Sequence, residues 1–357
     1  MSTNPLHGDH LILSKINDVK RPIGTIALVS HLDTVYPPDE EQRNSFKWRP
    51  VGDLIYGPGT VDIKGGTLVI FMILETLKSL APDLFKRINW YVLFNAAEEE
   101  LVPEFKQVCL DALPEMVDAC LVFEGGGSRG QKFSLVTSRK GRLSYRIVVN
   151  GRAAHAGSAH RNGANSVVQL AEIISKVAQM TDYDKEITFN VATAAGGTVL
   201  NRVPHYAVAS GEARAFSPAV LNQGLNELLA LEDSATVRSM NDDYPCHVDI
   251  EILGKWEPWP SNEASEKLFS VWKKSAEIMD YEAAEERRGG LSDGNWLWEN
   301  APTLDGLGPS GGNAHCSERS EDGSKDQEFV RVSSFIPKAT LNVLGIINLF
   351  KEKKGSG

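Results

Sequence analysis

Three short apolar runs, at residues 25–30, 88–95 and 120–124, constrain the fold of this chain more than any other feature. They are rich in β-branched and aromatic residues and apolar at nearly every position, so both faces must be buried. That is the pattern of a mostly parallel sheet covered by helices. Between the first two lies the stretch 65–80 (GGTLVIFMILETLKSL), long and apolar enough for a buried helix. From about Arg139 the texture changes to half-alternating segments, SYRIVVNG, EITFNVATAAGG, YAVASGEARAF and HVDIEIL, interleaved with helical periodicity at 164–179 and 218–230. This predicts four antiparallel strands with two helices, an α+β insert. After Trp259-Pro260 helical text returns at 263–279, followed by the strand-like PTLDGLG and a terminal helix over 333–350. The expected architecture is an α/β unit of residues 1–137 and 255–357, interrupted by a second unit at 138–254. A length of 357 residues, roughly 2.4 times an average domain, agrees with two units.

Five segments place histidines and carboxylates at or just after strand ends, where α/β folds build their sites. In VSHLDTVYP, residues i and i+2 of an extended chain point the same way, so Asp33 can reach the ring of His31 and fix its tautomer; the other reading is a surface turn. In YGPGTVDIKGG, Asp62 stands just before a helix start, either as a ligand or as a helix cap. In LFNAAEEEL, three consecutive glutamates follow a strand. One can bind a metal while its neighbour faces a water as general base, or all three can belong to an acidic first helical turn. Glu124 ends an apolar strand, where a carboxylate costs solvation unless it sits at a cleft or is paired. His315 lies in the glycine-rich GGNAHCSE, and its neighbour Cys316 is read as a bystander because adjacent side chains diverge. Together the two histidines and the carboxylates form a donor set for two divalent ions, suited to zinc with cobalt or manganese as substitutes.

The formal charge of −10 and the lack of any Lys/Arg block argue against nucleic acid or an anionic membrane as partner. Four irregularly spaced cysteines make neither a disulfide framework nor a metal motif, and a reducing compartment is expected. No 18 apolar residues run together, and the first 20 residues lack a signal-peptide core, so the expected location is the cytoplasm.

The motifs HLDTVYP, GPGTVDIKGG, FNAAEEE, VFEGG, GRAAHAG, GGTVLNRVP and AHCSE, in this order, resemble the co-catalytic zinc peptidases and deacylases. That family includes glutamate carboxypeptidase, succinyl-diaminopimelate desuccinylase, acetylornithine deacetylase and aminoacylase. The resemblance implies a zinc-exopeptidase-like catalytic domain interrupted by a lid through which two subunits dimerise. It implies two zinc ions per subunit: His31 and Glu124 on one, Glu99 and His315 on the other, Asp62 between them. Asp33 would orient His31, and Glu98 would be the general base. His155 would reach the partner's site to stabilise an oxyanion, while Asn201, Arg214 and Arg139 would meet polar groups of the substrate. A glutamate at position 124 goes with carboxypeptidases and deacylases, so the implied substrate is an N-acyl amino acid or a short peptide with a free carboxylate. The alternatives are an aminopeptidase or dipeptidase of the same fold, or a metal-containing homologue that binds an amino-acid-like ligand without turnover. His160, His205 and His247 match no ligand position. Three departures stand out: Ala97 occupies the family's usual Asp position, and ILGKWEPWP lacks the arginine that glutamate carboxypeptidase carries there. HLDTV also comes sooner than in relatives, which place a helix and a strand before it, so the expectation is a truncated, processed or divergent chain.

Overall fold

The computed structural model describes residues 8–17, 22–100 and 102–354. It divides into two compact units. The first comprises the chain up to Thr137, Ser261–Arg287 and the chain from Ser292 onward; the second comprises Ser138–Pro260 with Arg288–Leu291. The second unit therefore runs past the expected boundary at 254, because its last strand extends over His247–Trp256 and Trp259 exchanges backbone hydrogen bonds with Arg139.

In the first unit a five-stranded sheet has the order Leu11–Lys15, Ile88–Asn95, Gly24–His31, Ala119–Val122, Thr303–Leu304. All pairings are parallel except that of the edge strand Leu11–Lys15. Continuous apolar runs are explained by burial on both faces. Ile26, Leu28, Trp90, Val92 and Leu121 pack with Val69, Ile73 and Leu77 of the helix Gly65–Leu80 and with Trp272 of the helix Glu263–Ile278. Their alternates Ala27, Val29, Tyr91, Leu93, Cys120 and Val122 pack against Phe105 and Cys109 of the helix Glu104–Ala112. The third expected strand is shorter than 120–124: it ends at Val122, which leaves Glu124 in the loop beyond the sheet. Of the expected strand PTLDGLG only Thr303–Leu304 pairs.

The last helix is Phe335–Lys354. Among the described residues the stretch Val332–Lys351 is long and apolar enough, by length and composition, to cross a membrane. Here Leu341, Ile346 and Phe350 are buried in the core, and Lys338 and Asn342 donate to the carbonyls of Gly306 and Leu307.

The second unit holds an antiparallel sheet in the order Thr188–Gly196, Tyr206–Ala215, Gly141–Asn150, His247–Trp256. Its central strand alternates as a one-sided sheet should: Leu143, Tyr145, Ile147 and Val149 are buried, and the residues between them are not. The helices Ser166–Gln179, capped by Asn165, and Pro218–Leu229, capped by Ser217, cover the buried face.

Candidate active site

The site of the first unit lies at the carboxyl ends of its parallel strands. His31 and Asn95 end adjacent strands in register, and the Phe123 amide, just before Glu124, donates to the carbonyl of Val29. The helix Gly65–Leu80 begins against this edge. A side chain at Gly66 would stand 2.0 Å from the Phe123 carbonyl oxygen, so only glycine allows that approach. Asp62 precedes the helix and does not cap it.

Asp62 faces both histidines. Its Oδ1 is 3.0 Å from His31 Nε2, and its Oδ2 is 3.2 Å from His315 Nε2. Glu124 Oε1 is 3.8 Å from His31 Nε2, and Glu99 Oε2 is 3.3 Å from His315 Nε2. His315 holds a left-handed backbone (φ 66°), a conformation costly for a residue with a Cβ and typical of constrained functional positions. Asp33 departs from its expected role in one respect. The principal partner of His31 Nδ1 is the Asp33 main-chain oxygen at 3.0 Å, with the carboxylate farther off at 3.4 Å. That carboxylate instead accepts from the amides of Glu98 (3.2 Å) and Glu99 (3.0 Å), so one residue sets both the ring and the glutamate turn. With Nδ1–H donated to an oxygen, Nε2 keeps its lone pair for a ligand.

The electrostatics follow from crowding. Burial opposes charging of His31, but Asp33, Asp62, Glu124 and Glu98 outweigh it, and its pKa stands well above the ordinary imidazole value. Hydrogen bonds to Asp62 and Glu99 raise His315 to about 10. Burial would raise Asp62, yet the two imidazoles hold it below the usual carboxylate range. Glu98 is 8% exposed. Its burial, opposed by His31 and reinforced by Glu124, Asp293 and Glu99, pushes it well above the usual range.

These residues fit divalent cations. Ligand atoms of His31, Asp62 and Glu99 all lie within 4.8 Å of one another. Among the described residues Glu99 Oε1 is buried without a hydrogen-bond partner, a costly state that a cation would relieve. Imidazole and carboxylate bind a cation in their deprotonated forms, so ion binding here would compete with protons.

Sequence reasoning missed a supporting layer. Glu328 is fully buried; its Oε1 accepts from the amides of Val61 (2.8 Å) and Asp62 (3.1 Å), and its Oε2 from the Tyr36 hydroxyl (2.8 Å). Asp293, in GGLSDG, is buried and its Oδ1 accepts from Asn95 Nδ2 at 2.7 Å. Both carboxylates sit in turn-like text whose only signal is that burial of a charge demands a reason.

The four remaining expected residues belong to the second unit. His155 is exposed, and its Nδ1 accepts from the amides of Gly157 (3.1 Å) and Ser158 (3.0 Å), which leaves the proton on Nε2 as a donor. Asn201 lies beside it, its carbonyl accepting from the Ala156 amide. Arg139 is buried and donates to the carbonyls of Gly290 and Leu291. Arg214 pairs with Glu212 and donates to the Gly289 carbonyl. The two arginines thus converge on the 289–291 segment.

A family model described as peptidase family M20/M25/M40 matches residues 27–332. The chain is 27% identical over 318 residues to carboxypeptidase G2 of Pseudomonas sp. (strain RS-16), covering 88% of this chain and 71% of that protein. It is 26% identical over 214 residues to an acetylornithine deacetylase of Buchnera aphidicola; there the match takes in 56% of this chain and only about half, 53%, of the relative. Among solved structures, aminopeptidase PepT from Bacillus cereus superposes with a TM-score of 0.71 at 21% identity, covering 95% of this chain and 84% of that one.

Proposed function

The chain belongs to peptidase family M20/M25/M40, a family of metal-dependent hydrolases, and we propose that it cleaves the amide bond of N-acyl amino acids or short peptides bearing a free carboxylate. The observation that carries this reading is Asp62 with one oxygen toward each histidine, and buried Glu98 beside the cluster. Two zinc ions, with cobalt or manganese as substitutes, are proposed for His31, Asp62, Glu124, Glu99 and His315. Such ions lower the pKa of water from 15.7 toward about 7 and polarise a carbonyl.

Glu98 then takes the proton from the attacking water as its oxygen adds to the carbonyl carbon. As the C–N bond breaks, Glu98 returns that proton to the leaving nitrogen, giving a carboxylate and an amine. The Nε2–H of His155 is proposed to donate to the developing oxyanion. Because the resemblance places His155 in a partner's site, a homodimer through the second unit is proposed; a fully active monomer in solution would exclude it. Asn201, Arg214 and Arg139 are proposed to meet the substrate's polar groups, Arg139 from its place beside the 289–291 segment. Free cysteines accord with a proposed cytoplasmic location.

The reading favours substrates with a blocked amine for two reasons: the glutamate at position 124, and the carboxypeptidase and deacetylase names of the relatives. Amine release should be measured over N-acetyl and N-succinyl amino acids, N-blocked dipeptides and free-amine peptides. We expect kcat/KM at least about tenfold higher for N-blocked substrates with a free carboxylate. The opposite ranking would make the protein an aminopeptidase. Binding without product across the panel would make it a binding homologue.

A further inference from the structure

We propose that the buried Asn95–Asp293 pair holds the 97–99 turn, and with it the Glu98 carboxylate, in the reactive orientation; Asp293 is a positioning residue that acts through Asn95. The inference rests on the reading of Glu98 as the base.

The turn that carries Glu98 is fixed amide by amide. The Ala96 amide donates to His10 Nδ1 at 3.1 Å and the Ala97 amide to Asn95 Oδ1 at 2.9 Å. The amides of Glu98 and Glu99 go to the Asp33 carboxylate. Asp33 is itself tied to His31, but among the described residues the Asn95 side chain has one external anchor, Asp293. A primary amide can rotate about its Cβ–Cγ bond. Only a fixed acceptor for Nδ2 keeps Oδ1 aimed at Ala97, and Asp293 supplies it from a site 1% exposed, with Ser292 and Gly294 locked around it. Asn95 also carries the end of its strand, its carbonyl accepting from Leu32 at 2.7 Å next to His31. A buried carboxylate is expensive unless it holds something in place.

The test compares Asp293→Ala, Asp293→Asn, Asn95→Asp and the swapped double variant Asn95→Asp/Asp293→Asn. Asp293→Ala removes the anchor, and kcat should fall about 100-fold with KM within roughly twofold and metal content unchanged, the pattern of a misplaced catalytic group. Asp293→Asn keeps an acceptor oxygen and should lose only about tenfold or less. Asn95→Asp alone sets two carboxylates face to face. The swap restores one donor opposite one acceptor and should recover most of that loss, a coupling that additive effects would not give. Hydrogen exchange in peptides spanning 95–100 provides a readout independent of turnover: protection should drop about tenfold in Asp293→Ala and return in the swap. If the wild type hydrolyses no amide while the exchange result holds, the functional reading fails and the positioning role stands. Unchanged kcat and exchange in folded Asp293→Ala would overturn the proposal. So would no recovery in the swap, or a loss that tracks metal content or KM.

Discussion

Replacing Glu98 by alanine is expected to reduce kcat by about 10²–10⁴-fold, the usual worth of a general acid–base group, while metal content stays at the wild-type value. The distinction follows from geometry. Asp62, Glu124 and Glu99 each approach an imidazole within 3.0–3.8 Å, and among the described residues Glu98 makes no such ion pair. Its amide is pinned by Asp33, so the side chain can be removed without releasing the turn. Its burial, opposed by His31 and reinforced by Glu124, Asp293 and Glu99, gives it an unusually high proton affinity, which suits a group that must accept a proton and then give it back. Glu98→Gln should be as inactive as Glu98→Ala, because the amide preserves shape and hydrogen bonding but cannot carry the proton. Near-wild-type turnover in either variant would place the base elsewhere, and parallel loss of metal would make Glu98 a ligand.

Asp62→Ala is expected to do more, because one substitution disturbs both metal positions. Its two oxygens face His31 and His315 separately. Without them the imidazoles would lose their common counter-charge, and Asp62 could no longer help hold either proposed cation. Metal content should fall from two equivalents toward none, and turnover should fall well beyond the roughly 10–100-fold typical of an outer-layer partner. Glu328→Gln provides the comparison: Glu328 holds the amides of Val61 and Asp62 from behind, and its loss should stay within that smaller range. Metal analysis of the purified variants, with circular dichroism to show that they fold, decides the matter. Asp62→Ala retaining both ions would contradict the bridging role.

The elements that sequence made legible are those whose burial is unambiguous. The strands Gly24–His31 and Ile88–Asn95 are apolar along their length because both faces are covered, whereas the helix Gly65–Leu80 buries Val69, Ile70, Ile73 and Leu77 and exposes Leu68, Phe71 and Leu80. The candidate ligands His31 and Glu99 were legible from their place at or just after the ends of those strands. Leu11–Lys15 was not, since an edge strand with mostly exposed side chains carries no core pattern. The short hairpin of Arg49–Val51 and Leu54–Tyr56 was missed because strands of three residues are too short to show an alternating pattern. The supporting carboxylates Glu328 and Asp293 were hidden because their partners lie 266–267 and 198 residues away in the chain. Local text cannot reveal a charge buried against so distant an amide. Asp33 shows the limit most sharply: spacing put it beside His31, but not its carboxylate under the glutamate turn.

Amide hydrolysis at this site is proposed to need two cations. The most direct test is to strip the protein of metal and add zinc, cobalt or manganese stepwise while following amine release from an N-acyl amino acid. Turnover should be negligible in the stripped protein and rise to a plateau at two equivalents per subunit. Full activity in the stripped protein, or no product at any loading across the substrate panel, would contradict it.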